Sequence, residues 1–341
     1  THPWLQYQLY RSYGDRRILE DQWETTRRLV DFLGAKSKGG VIDKGISDHE
    51  SLDPKPAALT GTAFHFACVD LLARFARILG RKEEAEKYAV RAEEIRKVFT
   101  DRFLSPGTGV FGKGTQASQA FPLFFGLVPG PERKAAVRAM VRAVLEDHQG
   151  HLATGMFGTY MLLHELSRAG RAEAAYRMVN QRTFPGWGYM LERGATALWE
   201  HWAFSDDTFS HDHPMFGSVD AWFYQWLRGI QPAPGAEGLD RLVLRPCPVG
   251  DLRWVKAHHE GVRGRIVSEW ALEGGRFLWR LVLPPGVRAR IYVPAKGEEE
   301  VLEGGKPARS SGGLRFLGRR GGAALFEAGS GEFRFSSPWE G

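Results

Sequence analysis

Apolar residues along positions 1–230 recur at helical spacing, and the helices they predict alternate between two kinds. The stretch 62–80 is apolar on almost every side, the pattern of a helix buried all round. The next stretch, 82–103, carries a single apolar stripe of Ala85, Tyr88, Ala92, Ile95 and Phe99 and shows Glu, Lys and Arg elsewhere. The alternation then repeats. Stretch 116–128 is apolar and 132–148 striped; 155–168 is apolar and 172–181 striped. Upstream, 2–13 and 16–33 form the same kind of pair, and 217–230 is a final apolar helix. An inner ring buried on all sides and an outer ring wetted on one face predict a mainly α fold, an (α/α) barrel. Inner-to-outer links are tight and marked by Gly14, Gly80, Gly130 and Gly170, whereas the outer-to-inner links over 34–60, 104–115 and 183–216 are long. Helices that alternate direction put every long link at one end, where function is expected. The helices counted this way fall short of six hairpins, so the expectation is an incomplete (α/α)6 barrel whose N-terminal part is missing.

After Gln231-Pro232-Ala233-Pro234-Gly235 the pattern changes from helical to alternating. Short runs at 239–246, 264–270, 276–283 and 288–293, with Gly and Pro between them, predict a C-terminal antiparallel β-sandwich domain over 231–341. The helical domain is accordingly assigned to 1–230.

Composition narrows the function classes. With 341 residues, 43% of them hydrophobic, the chain is ordinary globular material, not disordered and not a coiled coil. No apolar run is long enough to span a membrane. The net charge of +6 and pI of 9.3 are spread without a block of like charges, which argues against nucleic-acid and membrane partners. Two cysteines, Cys68 and Cys247, are too few for a disulfide framework or a four-ligand zinc site. Both are expected to be buried and inert, in line with a cytoplasmic location. The chain starts at Thr1 with neither an initiator Met nor a charged-then-apolar leader.

The densest chemistry lies in the third long link. Trp187, Tyr189, Trp199, Trp202 and Phe204 crowd around one carboxylate, Glu200. Flat aromatic surfaces beside a carboxylate suit a sugar ring, with its apolar face and polar edges, so Trp187 and Trp199 are candidate sugar contacts. The first long link adds an acidic cluster, Asp48-His49-Glu50 with Asp53. Three other patterns lead nowhere. The G-x-G-x-x-G string from Gly107 to Gly112 has no preceding strand and no βαβ unit. His211-Asp212-His213 lacks companion ligands, so neither a metal nor a cofactor is expected. Ser118 and Ser210 lack a nucleophile-elbow context.

The strings GWGYMLERGATALWEHW (186–202) and SHDHPMFGSVDAWFY (210–224) resemble bacterial α-L-rhamnosidases of the six-hairpin glycosidase class. So do LATGMFGTYMLLHEL (152–166), LYRSYGDRRILEDQW (9–23) and GISDHESLDPKPAALTGTAF (45–64), so that the resemblance covers residues 1 to 270 or so. It implies an inverting hydrolysis of terminal α-L-rhamnose in which the glutamate of the ALWE string, Glu200, is the general base. It also implies that His213, the second histidine of SHDH, binds sugar. Asp48 corresponds to the acid of a family motif that often reads Gly-Asp-Trp; this chain departs from it with Ser47-Asp48-His49, and Asp48 and His49 are carried as candidate substrate contacts. The family's general acid, in an Arg-Asp-Glu-Arg type motif followed by Gly-Trp-x-Gly-Asp, has no counterpart in this chain. Helix count and motif inventory therefore lead to one expectation, a C-terminal portion that hydrolyses poorly by itself. The implied partners are rhamnose-containing glycosides, with homo-oligomerisation left open. Rival readings are another (α/α) glycosidase or polysaccharide lyase, and a carbohydrate-binding remnant without turnover.

Overall fold

A computed structural model of the protein describes residues 2–295 and 300–339. Its helices are α1 (His2–Tyr13), α2 (Arg17–Asp21), α3 (Trp23–Lys36), α4 (Ala57–Ile78), α5 (Lys82–Phe103), α6 (Gln116–Phe125), α7 (Arg133–Arg142), α8 (Met156–Arg168), α9 (Ala172–Val179), α10 (Trp187–Glu192) and α11 (Val219–Trp222). The chain divides into two compact units. One holds Leu19–Asp220 and the residues up to Trp4; the other holds Leu5–Ile18 and everything from Ala221.

Burial in the helical unit follows the predicted alternation. On α4, Leu59, Ala63, Phe66, Val69, Leu72 and Phe75 are buried around the whole helix. On α5 only Ala85, Tyr88, Ala92, Ile95 and Phe99 are buried, one stripe at intervals of three or four. Glu83 and Glu84 in its first turn and Arg102 in its last complement the helix dipole. The contiguous buried run of α6, Gln116–Leu123, and that of α8, Met161–Ser167, mark two more inner helices. Each inner helix packs on its own outer partner, α4 on α5, α6 on α7 and α8 on α9, and the inner helices pack in sequence, α4 on α6 and α6 on α8. That is the (α/α) arrangement. Thr115 starts α6 by accepting from the Ser118 amide through its hydroxyl (3.2 Å), and Gly126 ends it in the left-handed conformation (φ 71°).

Three helices depart from the periodic reading. The stretch 16–33 breaks at Gln22 into α2 and α3. The helices expected at 132–148 and 217–230 each relax into a wider π turn, at Ala143–Asp147 and Phe223–Leu227. Apolar periodicity does not distinguish a 3.6-residue turn from a locally wider one.

The other unit is built on two sheets, preceded in the chain by a short hairpin of β1 (Leu104–Ser105) and β2 (Val110–Phe111) in the helical unit. The strands are β3 (Ile230–Pro232), β4 (Arg241–Leu244), β5 (Trp254–Gly261), β6 (Gly264–Glu273), β7 (Arg276–Leu283), β8 (Arg288–Pro294), β9 (Leu302–Glu303), β10 (Lys306–Pro307), β11 (Leu314–Arg320), β12 (Ala323–Ala328) and β13 (Gly331–Pro338). A six-stranded sheet runs β10-β9-β13-β7-β6-β5, and a five-stranded one β11-β12-β8-β4-β3. Their facing sides share one apolar core, with Ile266, Trp270, Phe277 and Trp279 from the first and Leu244, Ile291, Val293 and Phe326 from the second. Pairing is antiparallel except between β4 and β8, which run parallel. This unit takes in Leu5–Ile18, which includes most of α1, as well as the chain from Ala221. Leu239 donates its amide to the Arg11 carbonyl (3.3 Å). Gly14 and Gly238 approach so closely that a Cβ on Gly14 would stand 3.3 Å from the Gly238 nitrogen. Cys68 is buried, as expected, but Cys247 is only half-buried.

Candidate active site

The segments that lead into the inner helices converge, and hydrogen bonds tie them together. Leu52 and Asp53 in the first long link both donate backbone amides to the Ala153 carbonyl (2.9 and 3.2 Å). Gln116, at the start of α6, donates to the His151 carbonyl (2.8 Å) and accepts from the Ala153 amide (2.9 Å). In the third link, Trp202 Nε1 donates to the Thr154 carbonyl (2.8 Å). Residues distant in sequence, 45–53, 148–155 and 187–216, thus form one loop cluster.

Asp48 sits inside it, fully buried. Its Oδ2 accepts from the Gly155 amide and its Oδ1 from the Gly158 amide, both at 2.8 Å. It therefore caps the amide-rich start of α8 from a different loop. Two glycines make room for it: a Cβ on Gly158 would lie 2.3 Å from Asp48 Oδ2, and one on Gly155 would lie 1.9 Å from the His49 carbonyl oxygen. Burial pushes the Asp48 carboxyl up to about 6, against the opposing pull of the Gly158 and Gly155 amides. Each oxygen of Asp48, expected as a substrate contact, is thus engaged by one scaffold amide.

Glu200 is placed differently. Its backbone amide donates to the Ser210 carbonyl and the Ser210 amide donates to Glu200 Oε2, both at 2.9 Å. Three residues along, the His213 amide donates to the Leu198 carbonyl (2.8 Å). The two halves of the third link thus pair, and Glu200 and His213 come together on neighbouring rungs. Glu200 is half-buried, and among the described residues its Oε1 accepts no hydrogen bond. His213 Nδ1 accepts from the Met215 amide (3.1 Å), so the neutral ring carries its proton on Nε2. That donor meets no protein acceptor among the described residues.

Trp187 and Trp199, expected as sugar contacts, are buried against other aromatic rings. Trp187 is buried, donates Nε1 to the Phe216 carbonyl (3.3 Å) and meets Trp202 edge-on (5.1 Å, 88°). Trp199 is buried among Tyr189, Phe204 and His211. Trp202 is fully buried and stacks on Phe216 at 3.8 Å. Phe204, 42% exposed, and the exposed His211 are the aromatic surface that this cluster leaves open. A polar contact that pattern reading passed over joins the first and third links. Glu50 lies between His49 Nδ1 (3.3 Å) and His201 Nε2 (3.6 Å), in a left-handed backbone conformation (φ 60°). His201 Nδ1 accepts from the Ala203 amide (3.0 Å), which aims an Nε2–H at Glu50. The signal was in the sequence, as an acid flanked by His49 in its own loop. Its second histidine lies 151 positions downstream and only the fold supplies it. Nearby, Asp53 lies 3.3 Å from His148 Nε2 and holds that imidazole above its ordinary range.

The family described as the bacterial alpha-L-rhamnosidase 6 hairpin glycosidase domain matches residues 2–227, and that described as the bacterial alpha-L-rhamnosidase C-terminal domain matches 229–307. Among curated proteins, an alpha-L-rhamnosidase of Streptomyces avermitilis is 33% identical over 346 residues, a match covering 98% of this chain and 32% of that protein. One of Alteromonas sp. is 28% identical over 313 residues, covering 85% and 34%. The chain spans about a third of the length of these relatives. Among solved structures, the Streptomyces avermitilis alpha-L-rhamnosidase complexed with L-rhamnose superposes with a TM-score of 0.89 at 32% identity, covering 98% of this chain and 32% of that one. The alpha-L-rhamnosidase of Dictyoglumus thermophilum gives 0.90 at 29%, covering 98% and 38%.

Proposed function

The chain belongs to the bacterial α-L-rhamnosidase six-hairpin glycosidase family, and we propose from that premise that it serves the hydrolysis of terminal α-L-rhamnose from rhamnosides, with Glu200 as general base of an inverting reaction. One observation carries the reading. The paired segments 198–200 and 210–213 present a carboxylate with one oxygen engaged and one open, next to a histidine whose Nε2–H is also open. The rhamnose in the Streptomyces avermitilis structure supports the substrate class.

The chemistry follows from this division of labour. The Ser210 amide holds Oε2, which fixes the carboxylate plane and leaves Oε1 to take a proton from water. As that proton leaves, the water oxygen bonds to the anomeric carbon from the face opposite the departing oxygen. The glycosidic C–O bond breaks with its electron pair on the leaving oxygen, which a second carboxyl on the far face protonates. In inverting enzymes the two carboxyls stand about 6.5–9.5 Å apart, which leaves room for the water. His213 donates through Nε2 to a sugar hydroxyl and so orients the ring. Phe204 and His211 offer the apolar side of the cleft. His49, held on Glu50, lies on the neighbouring loop as a polar contact.

The test is Glu200→Gln in a longer chain that also carries the second carboxyl; the substitution keeps size and hydrogen bonding but removes the proton acceptor. Hydrolysis of an aryl α-L-rhamnoside is expected to fall at least about 100-fold, with L-rhamnose affinity unchanged by calorimetry. Proton NMR of the product should show β-L-rhamnose first. Near-normal turnover in Glu200→Gln, or a first-formed α-anomer, would overturn the assignment.

A further inference from the structure

The outward side of the six-stranded sheet carries an aromatic and charged constellation that hydrolysis leaves unused. Strand register places Lys256, Glu269, Arg280 and Arg334 in one row across β5, β6, β7 and β13. The adjacent row is Trp254, Ala271, Leu278 and Ser336. Phe277, Trp279, Phe333 and Phe335, which alternate with these residues along β7 and β13, take the inward positions and fill the core. Seven of these eight residues line a depression of about 310 Å³, and Trp254 stands beside it, paired across the strands with the lining residue Ala271.

Three features make it a built surface. Trp254 is 60% exposed, which spends indole area on water with no folding gain. Lys256 Nζ lies 5.9 Å from its ring centroid, and Lys256 makes no ion pair among the described residues. Arg280 is held between Glu269 (3.1 Å) and Glu332 (3.0 Å), and Arg334 is held by Glu332 (2.7 Å), so these guanidinium groups are oriented before any ligand arrives. Charge then selects the ligand. Lys256, Arg280 and Arg334 face Glu269 and Glu332, and since both arginines are ion-paired the one surplus cation is Lys256, which favours an anion beside it. Glu269, already held by Arg280, keeps lone pairs for hydroxyl donors, and a phosphodiester backbone has none to offer there. The rim indole suits a flat ring with an apolar face. We infer that this sheet face binds an oligosaccharide containing uronic acid, with Trp254 beneath a sugar ring, Lys256 at one carboxylate, Arg334 at the carboxylate of another ring and Glu269 accepting from hydroxyls between them.

The experiment uses the full chain and calorimetric titration with trigalacturonate, maltotriose as the neutral counterpart, and a twelve-nucleotide single-stranded DNA. Trigalacturonate is expected to bind, more weakly as salt rises, and maltotriose at least about tenfold more weakly. Trp254→Ala should weaken trigalacturonate roughly tenfold by removing the ring contact. Lys256→Ala should weaken it severalfold and flatten the salt dependence. Both substitutions lie on the solvent side, and an unchanged melting curve verifies that folding survives. Equal binding of the two trisaccharides, tighter binding of the DNA, or unchanged affinity in both variants would overturn the proposal. Glu200→Gln should leave this binding untouched, so its outcome is separate from that of the hydrolytic reading.

Discussion

Asp48 and Glu200 are carboxylates of the same loop cluster, and the structure uses them in opposite ways. Asp48 is sealed from solvent with each oxygen on a backbone amide of α8. Glu200 is half-buried with one oxygen on the Ser210 amide and the other open. Sequence pattern puts both in long links beside histidines and marks Glu200 the more strongly, for the aromatic residues around it. What separates them is spare acceptor capacity. A carboxylate whose oxygens are consumed by the scaffold stabilises the fold, and one with an oxygen to spare can accept a proton.

The comparison can be broken most decisively at Asp48. Asp48→Ala strands two buried amides, each costing about 1–3 kcal/mol, so chemical denaturation should show a loss of roughly 2–5 kcal/mol. A loss below about 1 kcal/mol would mean that α8 does not depend on this cap. Trp199→Ala should cost about 3–4 kcal/mol by the same measurement, since the indole is core rather than platform. Retained stability with lost sugar affinity would restore its expected role as a sugar contact.

A pH series sharpens the contrast further. Because the folded Asp48 carboxyl stands at about 6 against 3.8 in the reference state, the folded protein holds that proton more tightly. Its contribution therefore favours folding below about pH 4 and is lost as pH rises through about 6, a change of about 3 kcal/mol. Asp48→Asn cannot titrate, so the stability of the native chain relative to this variant should decline by that amount between pH 4 and pH 7. A flat difference would mean that the carboxyl is not desolvated. Glu200→Gln belongs at the other pole, with a stability change within about 0.5 kcal/mol, as for a substitution that leaves packing intact.

At His213 the expected effect falls on sugar binding and not on stability. His213→Ala removes one donor to sugar and should weaken L-rhamnose binding by about 1–3 kcal/mol, read by calorimetry, with little change in melting temperature. Unfolding instead would assign the ring to the Met215 turn alone.

Much of the fold was legible before any coordinates. The apolar stripe of Lys82–Phe103 and the alternation of Arg276–Leu283 match the observed helix and strand end for end, because a single stripe or strict alternation fixes both period and buried face. Strand β5 escaped notice because it lies at a sheet edge and none of its residues is fully buried, so its sequence Trp-Val-Lys-Ala-His-His-Glu-Gly carries little apolar signal. The parallel pairing of β4 with β8 was equally hidden, since alternation says nothing about direction.

At the site, chain chemistry alone marked Glu200 and the aromatic crowd around it, because proton transfer and ring recognition need those residue types wherever they sit, while His213 was marked by the family resemblance. Tertiary structure alone decided which of those groups remain available. Asp48 was taken by the amides of Gly155 and Gly158, Trp187 and Trp199 were covered by aromatic neighbours, and Glu50 was joined to His201 from 151 positions away. Burial and hydrogen-bond satisfaction are properties of what lies opposite a side chain, and what lies opposite is set by folding rather than by neighbours in the chain.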